Sequence, residues 1–108
     1  MRLGIIGTGM IAAFHAKAIA AMDNAELVAA YARRADIADQ FGTAHGCAAY
    51  SDLDAFLAHD GLDAVTVCTP SGAHLEPVKA AAAAGKHVIC EKPLEVTTER
   101  VDEMIDAC

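Results

Sequence analysis

Short runs of apolar residues alternate along the chain with longer segments in which apolar residues recur every three or four positions. The short runs are typical of buried strands, and the longer segments are typical of amphipathic helices. The predicted strands are Leu3–Ile6, Leu27–Ala32, Cys47–Tyr50, Asp63–Thr69 and His87–Cys90. The predicted helices are Met10–Met22, Ala35–Phe41, Ser51–His59, His74–Ala84 and a last helix that begins at Thr97 and Thr98.

The strands are apolar throughout rather than at every second residue. Such strands are typical of a parallel sheet that helices cover on both faces, which predicts an α/β fold. Three residues mark the expected helix ends: Gly42 as the stop of the second helix, Ser51 as the start of a capping box, and Gly85 just after the fourth helix.

Composition limits the kind of molecule and its partners. The chain has 108 residues, 55% of them apolar, which predicts one compact domain with a core of its own. A net charge of −7 argues against nucleic acid or an anionic membrane as a partner. No apolar stretch is long enough to span a membrane, and the first glycine turn leaves no room for a signal peptide.

The four cysteines favour a reducing environment. Cys47, Cys68, Cys90 and Cys108 show no C-x-x-C spacing, and we expect Cys68 and Cys90 to be buried thiols inside strands. A cytoplasmic location therefore fits better than a disulfide framework. No set of His, Cys or carboxylate residues has metal-binding spacing, so no metal site is predicted.

A glycine turn follows the first strand and opens the first helix, with the sequence Gly7-Thr8-Gly9-Met10-Ile11-Ala12. Gly7 permits a tight turn, Gly9 leaves the backbone open to a pyrophosphate, and Ala12 lets the helix pack close to the strand. The N–H groups at the helix start then face the anion. We therefore predict a Rossmann-type doubly wound sheet of order 3-2-1-4-5, with residues 1–108 as a dinucleotide-binding domain.

The end of the second strand bears on the choice between NAD and NADP. An acidic residue there would bind the ribose 2′-hydroxyl, but this chain has Ala32-Arg33-Arg34 and no carboxylate before Asp36. Arginine binds phosphate with two parallel hydrogen bonds, so Arg33 and Arg34 favour NADP slightly over NAD. The alternative is that both arginines are a solvated helix start.

The loop after the fourth strand is a second candidate part of the site, because ligands bind at the carboxyl edge of such sheets. Thr69 and Pro70 begin this loop, and His74 ends it. His74 either contacts the ribose or substrate, or packs locally at a helix start. His15 is expected to be structural, and the three other histidines, His45, His59 and His87, are expected at the surface or at strand ends.

Glu91-Lys92-Pro93 follows the fifth strand, beside the expected position of the nicotinamide. A lysine there could donate or accept a proton at the carbon that exchanges hydride, and Glu91 could position it. The alternative is a solvated lysine before a proline turn. Because X-Pro bonds are the common site of cis peptides, the Lys92–Pro93 bond is a candidate for the cis form.

These motifs resemble the N-terminal domain of the glucose–fructose oxidoreductase / inositol dehydrogenase (Gfo/Idh/MocA) family. The resemblance rests on the glycine turn Gly7–Ala12, on Thr69-Pro70-Ser71-x-x-His74, and on Ala84–Leu94 around Glu91-Lys92-Pro93. It implies an NAD(P)-dependent oxidoreductase acting on a sugar, cyclitol or related hydroxyl or carbonyl compound. It also implies that Lys92 is the catalytic or substrate-binding lysine.

The resemblance also implies a longer parent protein. Family members have a second domain with the substrate pocket, further catalytic residues and a homo-oligomer interface, and this chain stops before the sixth strand of the sheet. We therefore expect a piece of a two-domain enzyme that is inactive by itself. The alternative is a dinucleotide-binding or redox-sensing module without catalytic activity.

Overall fold

In the computed structural model, which describes all 108 residues, five strands alternate with five helices. The strands are β1 Arg2–Ile6, β2 Glu26–Tyr31, β3 Ala48–Tyr50, β4 Ala64–Val67 and β5 His87–Cys90. The helices are α1 Met10–Ala20, α2 Ala35–His45, α3 Leu53–Leu57, α4 Leu75–Ala83 and α5 Thr98–Ala107. Every predicted element is present, and most bounds differ by one or two residues.

The strands form one parallel sheet in the order β3-β2-β1-β4-β5, which confirms the predicted order. The chain runs outward from β1 through β2 to β3 and then returns to the other side of β1 with β4. The carboxyl ends of β1 and β4 therefore flank the point where the winding reverses, which is where open α/β sheets leave a crevice.

Two apolar cores cover the two faces of the sheet. On one face, α1 and α2 pack on β1 and β2 through a cluster that includes Ile5, Ala16 and Phe41. On the other face, α3, α4 and α5 contribute to a larger cluster around Phe56 and Val67. Strand β1 lies between them and buries almost all of its side chains, so the turn that follows it stands on a rigid base.

Phe56 is the largest fully buried side chain. Its ring lies 6.2 Å from the ring of Tyr31 and 6.1 Å from that of Tyr50, measured between centroids. The ring also lies directly over Gly4, where an added Cβ would come within 2.5 Å of it. Gly4 is therefore a glycine because α3 packs its aromatic side chain against the backbone of β1.

The end of α2 was predicted wrongly. The helix passes through Gly42 and ends at His45, and Gly46 takes the left-handed conformation with φ +70°. Gly42 has a different role, because a Cβ there would lie 2.7 Å from the carbonyl oxygen of Cys47. It lets the last turn of the helix approach the chain that enters β3.

The start and end of α3 also differ from the prediction. Asp52, not Ser51, is the N-cap residue, and its side chain accepts a hydrogen bond from Ala55 N at 2.9 Å. Aspartate is as good an N-cap residue as serine, and Asp52 stands three residues before Ala55, whose N–H it accepts from. The helix ends at Leu57 rather than at His59, and the chain turns through Gly61, with φ +75°, before β4.

All four cysteines are free thiols. Cys68 is buried as predicted, but Cys90 is only half-buried, because β5 is the edge strand and alternates between exposed and half-buried residues. None of the helices is both long and apolar enough to cross a membrane.

Replacing Phe56 with alanine should lower the free energy of unfolding by about 3–5 kcal/mol, because it removes a fully buried ring and leaves a cavity. The matched control is Phe14→Ala, since Phe14 is 61% exposed and should change stability little. Urea denaturation of the 108-residue chain measures both. Equal losses in the two variants would contradict the central position of Phe56.

Candidate functional site

The turn between β1 and α1 depends on Gly7. Gly7 has φ +92°, and its N–H donates to the carbonyl oxygen of Tyr31 at 2.9 Å. A Cβ at this position would lie 2.9 Å from Thr69 N and 3.0 Å from the carbonyl carbon of Cys68. Both the positive φ and the close contacts exclude a side chain at Gly7, and the turn lies against the end of β4.

The N-terminus of α1 is left open by the protein itself. Gly9 is the N-cap residue and has no side chain that could cap the helix. No turn of helix precedes the first N–H groups of α1, so they have no intrahelical acceptor. No protein atom lies within 4 Å of the Cβ position of Gly9. Ala12 is fully buried and seats the helix on the sheet. Open N–H donors beside a bare backbone fit the pyrophosphate of a dinucleotide.

A cleft of about 620 Å³ lies at the carboxyl ends of β1, β2 and β4. Six of the predicted site residues line it: Gly7, Thr8, Arg33, Arg34, Thr69 and Pro70. Gly9, Met10, Ile11 and Ala12 form the adjacent helix start and do not line this cleft. Met10 is 82% exposed, and the side chain of Ile11 lines a separate apolar groove on the outer side of α1.

The cleft also has walls that the sequence did not indicate. Arg100 of α5 and Glu76 of α4 both line it. Arg100 Nη2 lies 3.3 Å from Glu95 Oε2 and 3.5 Å from the carbonyl oxygen of Gly72, and its Nε is buried without a hydrogen-bond partner. Only the packing of α5 beside α4 brings this arginine to the loop after β4, so no local pattern could have revealed it.

The two arginines after β2 differ in whether their side chains have partners. Arg34 is held by Asp36 in a two-bond pair, with Nη2 to Oδ2 at 2.7 Å and Nε to Oδ1 at 3.2 Å. Arg33 is exposed and forms no ion pair or side-chain hydrogen bond. Arg33 is therefore the free guanidinium at this wall of the cleft.

Glu91 and Lys92 directly follow β5. The Glu91 N–H continues the sheet by donating to Val67 O at 3.1 Å, and its carboxylate is held on two sides. His15 Nε2 lies 2.6 Å from Oε1, and the Lys92 N–H donates to Oε2 at 3.2 Å. Hydrogen bonding from His15, above all, lowers the pKa of Glu91.

Lys92 itself is exposed, and its side chain makes no ion pair or hydrogen bond. The peptide bond between Lys92 and Pro93 is cis, which confirms that prediction. The Lys92 N–H is bound to Glu91, whereas its amine projects freely from the carboxyl edge of the sheet.

His74 is almost completely buried and lies outside the cleft. Its Nε2 is 2.8 Å from Thr69 O, and its Nδ1 is 2.9 Å from Pro93 O and 3.0 Å from Leu94 O. These contacts correspond to local packing, the second of the two roles left open by the sequence. His74 joins the loop after β4 to the turn that carries Lys92.

Glu95 completes this junction and was not predicted. Its side chain is fully buried, and Oε2 accepts from His74 N at 3.2 Å, Leu75 N at 3.0 Å and Arg100 Nη2 at 3.3 Å. Burial opposes its ionisation, but hydrogen bonds from the N–H groups of Val96 and Leu75 and from Arg100 outweigh burial and lower its pKa to about 2. A buried carboxylate thus occupies the N-terminus of α4.

Nothing in this arrangement resembles a metal centre, since no three His, Cys, Asp or Glu side chains are close enough to hold a metal ion. The half-buried thiol of Cys90 is a poor nucleophile, because burial and then the charges of Glu95 and Glu91 raise its pKa to about 11. The chemistry available at this edge is therefore an open helix N-terminus, a free arginine and a free lysine.

Comparison with known proteins agrees with this fold. The GFO_IDH_MocA family model, an oxidoreductase family with an NAD-binding Rossmann fold, matches residues 1–108. The chain is 38% identical over 108 residues to a scyllo-inositol 2-dehydrogenase (NADP(+)) of Bacillus subtilis, covering 99% of this chain and 33% of that protein. It is 39% identical to a myo-inositol 2-dehydrogenase of Thermotoga maritima, covering 98% of this chain and 32% of that protein.

Among solved structures, the WlbA dehydrogenase of Bordetella pertussis in complex with NADH and UDP-GlcNAcA superimposes with a TM-score of 0.94. It is 36% identical, with 100% of this chain and 34% of that chain covered. The chain thus spans about a third of the length of the relatives it matches. It belongs to the GFO_IDH_MocA oxidoreductase family.

The Glu95 carboxylate should stabilise the fold in a pH-dependent way. Because its pKa is lowered to about 2 from about 4.5, its stabilisation is complete above pH 4.5 and is lost as pH falls towards 2. Glu95→Gln should remove this part of the pH dependence, and Glu99→Gln, in the exposed first turn of α5, should keep it. Urea midpoints between pH 2 and pH 7 measure the effect, and parallel curves for wild type and Glu95→Gln would contradict it.

Proposed function

We propose that this chain is the cofactor domain of an NAD(P)-dependent oxidoreductase that moves hydride between a nicotinamide and a hydroxyl or carbonyl carbon of a sugar, cyclitol or related compound. The observation that carries the proposal is the register of three neighbouring strands. Ile6 pairs with Val67, and Val67 pairs with Cys90. The glycine turn and the Glu91-Lys92 turn therefore begin at one level of the sheet, two strands or about 10 Å apart.

That separation suits a ligand whose anionic and reactive parts are bound at two different places. The helix start at Gly9 binds the pyrophosphate, and the cleft next to it accepts the adenosine end between Arg33 and Arg100. The bound nicotinamide supplies or accepts the hydride. Lys92 is then on the side of β4 away from the adenosine cleft, where the substrate would meet the nicotinamide.

Lys92 handles the proton in this proposal. When a hydroxyl carbon is oxidised it loses a hydride from carbon and a proton from oxygen, and the reverse reaction needs both returned. An amine that projects freely from the edge of the sheet can take that proton and give it back. Glu91 does not compete for this task, because its carboxylate is already held by His15 and by the Lys92 N–H.

Several parts of the proposal concern the intact protein. The relatives are about three times as long as this chain, which supports a second domain that carries the substrate pocket and a homo-oligomer interface. The names of the relatives support a sugar or cyclitol as the substrate class. Four free thiols support a reducing, cytoplasmic location.

A binding module without catalysis is the second candidate, because Lys92 is not among the residues that line the cleft. The glycine turn, the arginines and the loop after β4 form the cleft within 108 residues. Such a module would bind the dinucleotide and turn over no substrate. Lys92 distinguishes the two candidates, since binding through the cleft does not require it.

Arg33 should favour NADP over NAD. Arg33→Ala should weaken NADP binding by about tenfold or more, because a hydrogen-bonded charge pair with the 2′-phosphate is lost, and should change NAD binding little. Arg34→Ala should have a smaller effect, because Asp36 already holds that guanidinium. Gly9→Asp should weaken both cofactors by placing a negative charge at the helix start. Calorimetric titration measures all three, and an unchanged ratio of the two affinities in Arg33→Ala would refute the NADP preference.

Lys92→Ala in the intact protein should lower kcat by about 10²-fold or more, the usual range for a positioned acid or base. The cofactor Kd should change much less, since its contacts come from the glycine turn and the cleft. Lys92→Arg should not restore kcat, because a guanidinium keeps its proton. Lys79→Ala is the control, as Lys79 pairs with Glu103 on the helical surface at 3.5 Å. Near-wild-type turnover of Lys92→Ala would favour the binding module.

A further inference from the structure

We propose that His15 is a positioning residue for Lys92, which it orients through Glu91. The inference rests on the proposed function, because it gives Lys92 the proton-handling role. His15 stands far from Glu91 and Lys92 in the sequence, but the three residues meet at one edge of the sheet. His15 belongs to α1, the same helix whose start binds the pyrophosphate in the proposed function, so one helix serves both parts of the site.

Both ring nitrogens of His15 have partners. Nε2 lies 2.6 Å from Glu91 Oε1, and Nδ1 lies 2.9 Å from the hydroxyl oxygen of Thr66 in β4. The side chains of His15 and Glu91 are 22% and 23% exposed, and Thr66 is almost completely buried. The imidazole therefore bridges β4 to the turn after β5 and cannot rotate without breaking a contact.

The donors and acceptors along this chain of contacts match without conflict. An ionised Glu91 only accepts, so Nε2 of the imidazole donates to it. Nδ1 faces the Thr66 hydroxyl, which can either donate to it or accept from it. Thr66 Oγ1 in turn lies 3.7 Å from Cys68 Sγ, which can donate to it. Thr66 of β4 and Cys68 just after it thus hold His15 of α1, and His15 fixes one orientation of the Glu91 carboxylate.

The fixed carboxylate controls where Lys92 leaves the sheet. Glu91 Oε1 is taken by His15, which turns Oε2 towards the Lys92 N–H at 3.2 Å. Beyond this N–H, the turn is held by His74, whose Nδ1 lies 2.9 Å from Pro93 O. Removing His15 frees the carboxylate to rotate into water and releases the first of these two restraints. The lysine amine would then sample more positions relative to the bound substrate.

Asparagine and glutamine make a matched pair for the test. A glutamine amide extends about as far as Nε2 of histidine and can donate to Glu91. An asparagine amide reaches only as far as Nδ1, so it can meet Thr66 but not Glu91. Both variants introduce the same amide group, so a loss of function in His15→Asn alone reports on the contact with Glu91. His87→Asn, at an exposed site in β5, controls for the substitution itself.

The kinetic experiment uses the intact protein and scyllo-inositol or myo-inositol as the probe substrate. His15→Asn should lower kcat by about tenfold to a hundredfold, as expected when a reacting group is misplaced by about 1 Å, while the NADP Kd changes by less than about threefold. His15→Gln should restore most of the kcat. Equal kcat values in wild type and His15→Asn would overturn the inference, as would equal losses in His15→Asn and His15→Gln.

A second measurement is independent of turnover. In the intact protein, carbon NMR of the Glu91 carboxyl, identified by its absence in Glu91→Gln, follows its titration. His15→Asn should raise the pKa of Glu91 towards its ordinary value, and His15→Gln should keep it low. An unmoved titration in His15→Asn would overturn the inference. If Lys92→Ala keeps full turnover, the proposed function fails instead, and the Glu91 titration still decides whether His15 holds the carboxylate.

Discussion

The parallel register of β1, β4 and β5 is the constraint on which the site depends. These strands end at the same level, so the turns that follow them emerge side by side at one edge of the sheet. Strand β1 is buried on both faces, and Gly7 fits against the end of β4 with no room for a side chain. A glycine turn, a threonine-proline loop and a lysine turn, which are far apart in the sequence, therefore share one surface.

Hydrogen bonds between these turns then connect them. His74 and Glu95 link the loop after β4 to the segment after β5, and His15 links α1 to Glu91. Each link uses a buried or half-buried polar side chain. The partners of His74 and Glu95 are mostly backbone groups, and those of His15 are the side chains of Glu91 and Thr66. Networks of this kind tolerate little displacement, because an unpaired polar group in the interior costs about 1–3 kcal/mol. The three turns should accordingly move together rather than as independent loops.

The sequence predicted what depends on local pattern. Three features depend only on neighbouring residues: the alternation of apolar runs, the glycine turn and the turn before Pro93. Each was found where the sequence predicted it. The sequence did not show that α2 ends at Gly46 rather than at Gly42, because both residues are glycines. Only the close approach of the Cys47 carbonyl oxygen shows why Gly42 is a glycine. The partners of His15 and Arg100 are brought by tertiary packing, so nothing adjacent to either residue indicates them.

Two helices begin at this edge after neighbouring strands, and the protein treats their N-termini differently. The start of α4 already holds the carboxylate of Glu95, whereas the start of α1 holds only the bare backbone of Gly9. The start of α4 is therefore filled by an internal anion, whereas the start of α1 is left open. Glu95 does not line the cleft itself, yet its carboxylate closes a helix end that an incoming anion would otherwise find open.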